Sequence, residues 1–183
     1  MAETMQENQR IRITKRILRE TMMALLKDND PDHISVKELC SAAQINRSTF
    51  YAHYRDVQHL YNEMSDQLVD DLESYLNESD PGVLPMLEYI QAHAEECQLL
   101  LYNRHFMDTS YPAQARIQNE VLPMLFQVNH APDTQDMRAA LRFAFGGGNA
   151  VLLHWVNHGC NMPAKELADL LVRFSAQVVL CVD

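Results

Sequence analysis

Residues 34–61 hold two short helical segments joined by a link too short to let them run apart. Ser35-Val36-Lys37-Glu38 has the form of a capping box, a hydroxyl at the N-cap and a carboxylate three residues on, and so starts a helix over about 36 to 43. Asn46 is a good N-cap for a second segment over about 47 to 53, because its side-chain oxygen can accept from the free amides of a first turn. Val36, Leu39, Ala43, Ile45, Phe50 and Leu60 can then form a small core that locks the two at a steep angle. Ala42 and Ala43 are small where the helices must approach closely.

The surrounding sequence extends the helical pattern. Ile11, Thr14, Leu18, Met22 and Leu25 recur at helical spacing through residues 8 to 27, interleaved with Arg10, Arg12, Lys15, Arg16 and Arg19, which gives an amphipathic helix with a basic side. Asp28-Asn29-Asp30-Pro31-Asp32 is a loop by composition. Asp56 is placed to cap a long helix on which Leu60, Met64, Leu68, Leu72 and Leu76 recur every four residues, ending near Asn77. Further helices are expected at about 83 to 95, 96 to 104, 110 to 128, 134 to 158 and 163 to 182, with Pro112, Pro132 and Pro163 at starts or connections. Only five glycines and seven prolines in 183 residues leave little punctuation for a many-stranded sheet. The expected class is all-α, with about nine helices.

Charge divides the chain. Residues 1 to 60 carry nine Lys/Arg against eight Asp/Glu, or +1, whereas residues 61 to 183 carry six against seventeen, or −11. A near-neutral head with clustered cations can approach phosphate, and an acidic remainder would be repelled by it. The expected division is 1–56 and 57–183, with Ser79-Asp80-Pro81-Gly82 as a second boundary signal. The start lacks the basic and apolar parts of a signal peptide, and no apolar run reaches the roughly 18 residues of a membrane span, so a cytoplasmic protein with no membrane partner is expected. Cys40, Cys97, Cys160 and Cys181 are widely spaced without a Cys-x-x-Cys pair, and are read as reduced, buried side chains.

The ordered stretch 34–61 closely resembles the DNA-binding signature of the TetR family of transcriptional regulators. The resemblance implies an N-terminal three-helix helix-turn-helix module followed by a helical ligand-binding and dimerisation domain. Arg47, Ser48, Thr49, Tyr51, His53 and Tyr54 then lie on or near the exposed face and ends of the helix placed in the major groove. Arg47 can donate bidentately to guanine, Ser48 and Thr49 can reach base edges or phosphate, and Tyr51, His53 and Tyr54 offer donors to phosphate oxygens. Ser35 and Lys37 at the start of the preceding helix, with Asn46 and Arg55, complete the expected DNA-binding set. In the family, positions matching Tyr51, Tyr54 and the start of the preceding helix commonly contact DNA. The chain departs from the family pattern twice: Gln44 stands where glycine is usual in the turn, and Val57 where a phosphate-binding lysine is usual.

Farther on, Phe143-Ala-Phe-Gly-Gly-Gly-Asn-Ala-Val-Leu-Leu-His-Trp-Val-Asn-His-Gly-Cys-Asn-Met-Pro163 resembles a C-terminal domain of TetR-like regulators of Gram-positive bacteria, including activators of dihydroxyacetone-kinase operons. It implies that the last two helices pair with their twins in a homodimer. Gly146, Gly147 and Gly148 within a helical pattern each cost roughly 1 kcal/mol relative to alanine, so close helix contact or a ligand near the backbone should compensate. A pocket for a small-molecule effector is expected among Met86, Tyr89, His93, Tyr102, Phe106, Phe143, Asn149 and Trp155, although such residues also simply fill cores. No cofactor is called for. His154 and His158 share one helix face, but without a third ligand no metal site is assigned. No Gly-x-Ser-x-Gly or His-Glu-x-x-His occurs, so an enzyme is not expected. The leading reading is an operator-binding dimer, usually a repressor, altered by an effector; the alternative is a co-activator that keeps the fold and acts through another regulator.

Overall fold

Helices follow one another through nearly all of the computed structural model, which describes residues 2–75, 83–103, 105, 108–121 and 134–180. Nine α-helices are present among these: α1 (Ala2–Leu26), α2 (Val36–Ala43), α3 (Arg47–Tyr51), α4 (Val57–Ser74), α5 (Val83–Ala92), α6 (Ala94–Leu100), α7 (Pro112–Arg116), α8 (Gln135–Asn157) and α9 (Ala164–Leu180). The described residues contain no strand. No helix among them is long and apolar enough to cross a membrane.

The chain forms two compact units, residues 1–65 and 66–183. The expected boundary at 56/57 lies at the head of α4, whereas these two units divide within that helix. The reason is burial: Val57, Leu60 and Met64 on the first turns of α4 are at most 5% exposed, so that stretch completes the first core and does not begin the second. The second boundary signal, 79–82, lies outside the described residues.

In the first unit, Leu18 and Met22 of α1, Leu39 of α2, Phe50 of α3 and Leu60 of α4 are fully buried. Capping sets the helix limits. Ser35 is extended, and its Oγ accepts from the Glu38 amide at 3.1 Å, which starts α2 where the sequence places it. Asp56 Oδ1 accepts from the His59 amide at 2.7 Å at the head of α4. That bond, followed by one from Arg55, holds the Asp56 carboxyl below its ordinary range. Asn46 does not cap α3 with its side chain as expected. Its amide group is exposed, and the open amides of a five-residue helix can be satisfied by water.

In the second unit α9 packs along α8 and α5, and α8 against α6. Leu68, Val69 and Leu72 of α4, Met86, Leu87 and Ile90 of α5, Leu152 and Trp155 of α8, and Leu167 and Leu171 of α9 are buried there. Gln91 ties α5 to the α8–α9 turn, donating from Nε2 to the Cys160 carbonyl at 3.0 Å and accepting from the Ala164 amide through Oε1 at 3.3 Å. That turn needs two left-handed residues in succession, Gly159 at φ +75° and Cys160 at φ +52°. The break between α5 and α6 falls at His93, two residues before the limit expected from spacing. The helix expected over 110 to 128 is α7 followed by a single π-helical turn, Ile117–Val121; its remainder, with Pro132, lies outside the described residues.

Candidate nucleic-acid interface

A reading surface needs a short helix whose inner side is anchored and whose outer side is free. Phe50 provides the anchor at 0% exposure, with its ring edge-on to Tyr51 at 5.5 Å and tilted against Tyr54 at 5.7 Å. The turn before α3 aims it. Gln44 takes φ 54°, ψ 38°, its amide donates to the Ser41 carbonyl, and the Ile45 amide donates to the Cys40 carbonyl at 3.0 Å. This is a Schellman closure of α2, reached with a glutamine where glycine would meet no steric cost. The departure from the family pattern at Gln44 therefore leaves the turn intact.

Of the residues expected to meet DNA, Ser35, Lys37, Asn46, Arg47, Ser48, Tyr51 and Arg55 are exposed, Tyr51 at 58%. Thr49 and His53 are half-buried. Ser35 already commits a hydroxyl lone pair to the Glu38 amide, and Arg55 pairs with Asp56 at 3.0 Å, both at the surface. Tyr54 must be corrected. It is 1% exposed, and its hydroxyl donates to Glu63 Oε1 at 2.9 Å, so it belongs to the core beneath the reading helix and not to the outer face. Three residues past α3 the chain has left the helix, and the next apolar slot is inward.

Glu63 is the residue that sequence reasoning missed. Besides Tyr54, it accepts from Lys15 Nζ at 3.1 and 3.2 Å and from an Arg19 guanidinium nitrogen at 3.2 Å. Lys15 Nζ also lies 5.1 Å from the Tyr54 ring centroid. Burial pushes the Glu63 carboxyl up, but hydrogen bonds from Lys15 and Tyr54 and the charges of Lys15 and Arg19 outweigh it and hold the group below its ordinary value. Burial, then the bond to Glu63, pushes the Tyr54 phenol up to about 12. One carboxylate thus fastens α1, the chain after α3 and α4 together. No local signal marks it, because its partners on α1 are 44 and 48 residues away in sequence.

A family model described as the C-terminal region of transcriptional regulators, TetR_C_8, matches residues 77–177, more than half of the chain. The chain is a member of the TetR family of transcriptional regulators. The uncharacterised HTH-type transcriptional regulator YxbF of Bacillus subtilis is 24% identical over 168 residues, a match covering 83% of this chain and 42% of that protein. This TetR chain therefore spans less than half the length of that relative. The fatty acid degradation regulator FadR of Bacillus halodurans has a similar fold, with a TM-score of 0.54 at 16% identity, covering 91% of this chain and 94% of that one.

In the C-terminal region of this TetR regulator, the residues expected to line one pocket differ in burial. Met86, Tyr102 and Trp155 fill the core, and the Trp155 indole donates to the Met162 carbonyl at 2.9 Å. Burial raises the Tyr102 phenol well above its ordinary value. Tyr89 donates to Asp71 Oδ2 at 3.0 Å and stacks on the exposed His93 ring at 4.4 Å. The Asn149 side-chain oxygen is buried without a hydrogen-bond partner. Phe143, by contrast, is 72% exposed on the rim of a groove of about 280 Å³ between α8 and α9, shared with Gly147, Leu171 and Phe174; among the described residues, none of the others expected in a pocket lines that groove. Phe106 lies outside the described residues.

Proposed function

We propose that this chain acts as a homodimer on a palindromic operator, as a repressor released or altered by a small-molecule effector. The observation that carries the reading is α3: five residues held by the fully buried Phe50 behind a left-handed turn, presenting Arg47, Ser48 and Tyr51 outward. Those residue types match major-groove readout, with Arg47 suited to guanine and the hydroxyls to bases or phosphates. Lys37 and Ser35 at the start of α2 are exposed and suited to the flanking backbone.

Support for the homodimer comes from α8 and α9. Phe143, Val172 and Phe174 are 72%, 58% and 56% exposed, an apolar set that costs free energy in water and that a second copy would cover. An alanine-sized group at Gly146 or Gly147 would meet nothing within 4 Å in the single chain, which leaves room for a second copy to approach the α8 backbone closely there. The effector would shift the population between dimer geometries that space the two reading helices differently, through α4, which runs from the first unit into the second. Val57 favours a second reading. It is buried where the family commonly places a phosphate-binding lysine, and that loss of a cation suits a co-activator acting through another regulator.

Fluorescence anisotropy with duplexes from beside the chain's own gene, at two salt concentrations, separates these readings. Specific, salt-sensitive binding that is lost in Arg47→Ala and Tyr51→Ala supports the operator reading. A folded dimer that binds none of the duplexes supports the co-activator.

A further inference from the structure

α3 is too short to hold its own direction. A helix of five residues closes barely one turn of backbone bonds, so where Arg47, Ser48 and Tyr51 point depends on what fixes its two ends. The left-handed turn at Gln44 fixes the first end. Tyr54 fixes the second. Its amide donates to the Phe50 carbonyl at 2.9 Å, its ring lies 5.7 Å from the buried Phe50 ring, and it is itself 1% exposed. Tyr54 sits beneath the reading helix, so any part it plays in recognition is exerted through that helix.

The Tyr54 hydroxyl carries the connection on. It donates to Glu63 Oε1 at 2.9 Å, and the same carboxylate accepts from Lys15 Nζ at 3.1 and 3.2 Å and from Arg19 at 3.2 Å. Glu63 stands on α4 and its two cations on α1, both long helices, so one hydroxyl refers the end of a weak helix to two strong ones. A phenylalanine at position 54 would bury the same ring. What the hydroxyl adds is direction, because apolar burial is non-directional, whereas a hydrogen bond to a carboxylate held from three sides fixes a distance and an angle. Reading base edges needs that direction: such contacts tolerate misplacement of only about 0.5 Å and roughly 10–20°, whereas phosphate contacts carry no sequence information. We propose that Tyr54 and Glu63 are positioning residues for operator recognition, setting the angle of α3 so that Arg47, Ser48 and Tyr51 meet base edges, and that they contribute sequence preference and not general affinity for DNA. This inference rests on the operator-binding reading.

The test uses the full chain, a labelled duplex that the wild type selects from a random pool, and a scrambled duplex of equal length. Both are titrated by anisotropy over a salt series, at a temperature where circular dichroism shows every variant folded. Tyr54→Phe removes one hydroxyl and no charge. It should lower the preference for the selected duplex by about tenfold, the order of one misaligned base-reading contact, while affinity for the scrambled duplex and its salt slope keep their wild-type values. Glu63→Asp, which withdraws the carboxylate by one methylene and keeps its charge, should act in the same direction. Thr21→Val deletes a hydroxyl bond of 2.8 Å to the Ile17 carbonyl within α1 and should leave the preference unchanged. An unchanged preference in Tyr54→Phe overturns the proposal, as does an equal fall in affinity for both duplexes. Failure of the wild type to select any duplex overturns the operator reading itself, and the proposal with it.

Discussion

Replacing Gln44 with glycine should stabilise the first unit, although it removes a side chain. Gln44 sits at φ 54°, ψ 38°, where a Cβ is crowded by the following carbonyl at about 1–2 kcal/mol. Glycine relieves that strain but frees the unfolded chain, which costs about 0.4–1 kcal/mol. The Gln44 side chain is exposed, so little packing is removed, and the turn's two closing bonds use backbone amides that glycine keeps. The net gain is about 0.5–1 kcal/mol, equivalent to about 1–4 °C in melting temperature for a chain of this size. Urea unfolding followed by far-ultraviolet circular dichroism reads the gain as a higher midpoint with an unchanged slope. Gln44→Val, β-branched in the same conformation, should shift the midpoint the other way. If glycine leaves the midpoint unchanged or lowers it, the left-handed turn is not where this module stores strain.

The pairing at Glu63 gives a pH prediction. A carboxyl held below its ordinary value contributes stability that is present above the unfolded-state value and lost as pH falls through the lower folded one, so acid unfolding of the wild type should be steeper than that of Glu63→Gln in parallel melts. The Tyr54 phenol, pushed up to about 12, works in the opposite direction: its contribution is complete below the ordinary tyrosine value and is lost as pH rises toward 12. Tyr54→Phe should abolish that alkaline loss, measured by denaturant midpoint against pH. Phe50→Ala should cost about 3–5 kcal/mol, because a fully buried ring that anchors α3 is removed, and dichroism should show the first unit melting early. Phe143→Glu should leave the chain folded yet monomeric by analytical ultracentrifugation; a dimer of undiminished affinity would rule out α8 and α9 as its interface.

Much of the architecture is already written in local patterns. Ser35 with Glu38, the wide spacing of glycine and proline, and the four-residue recurrence from Leu60 to Leu72 specify where α2 and α4 run, because capping and amphipathicity act within one or two turns of the backbone. The exposure of Arg47, Ser48 and Tyr51 follows from the same short-range logic once Phe50 is assigned inward. Tertiary structure alone decided three things. Tyr54 turns into the core to meet Glu63, and Glu63 gathers partners from α1 that no spacing rule connects to it. The first unit includes the opening turns of α4, so its boundary lies within a continuous helix that shows no break in sequence. Met86, Tyr102 and Trp155 fill volume while Phe143 faces outward, although all four look alike as apolar residues at helical spacing. Local sequence sets what a helix is, whereas which of its faces finds a partner depends on chain segments that sequence proximity does not bring together.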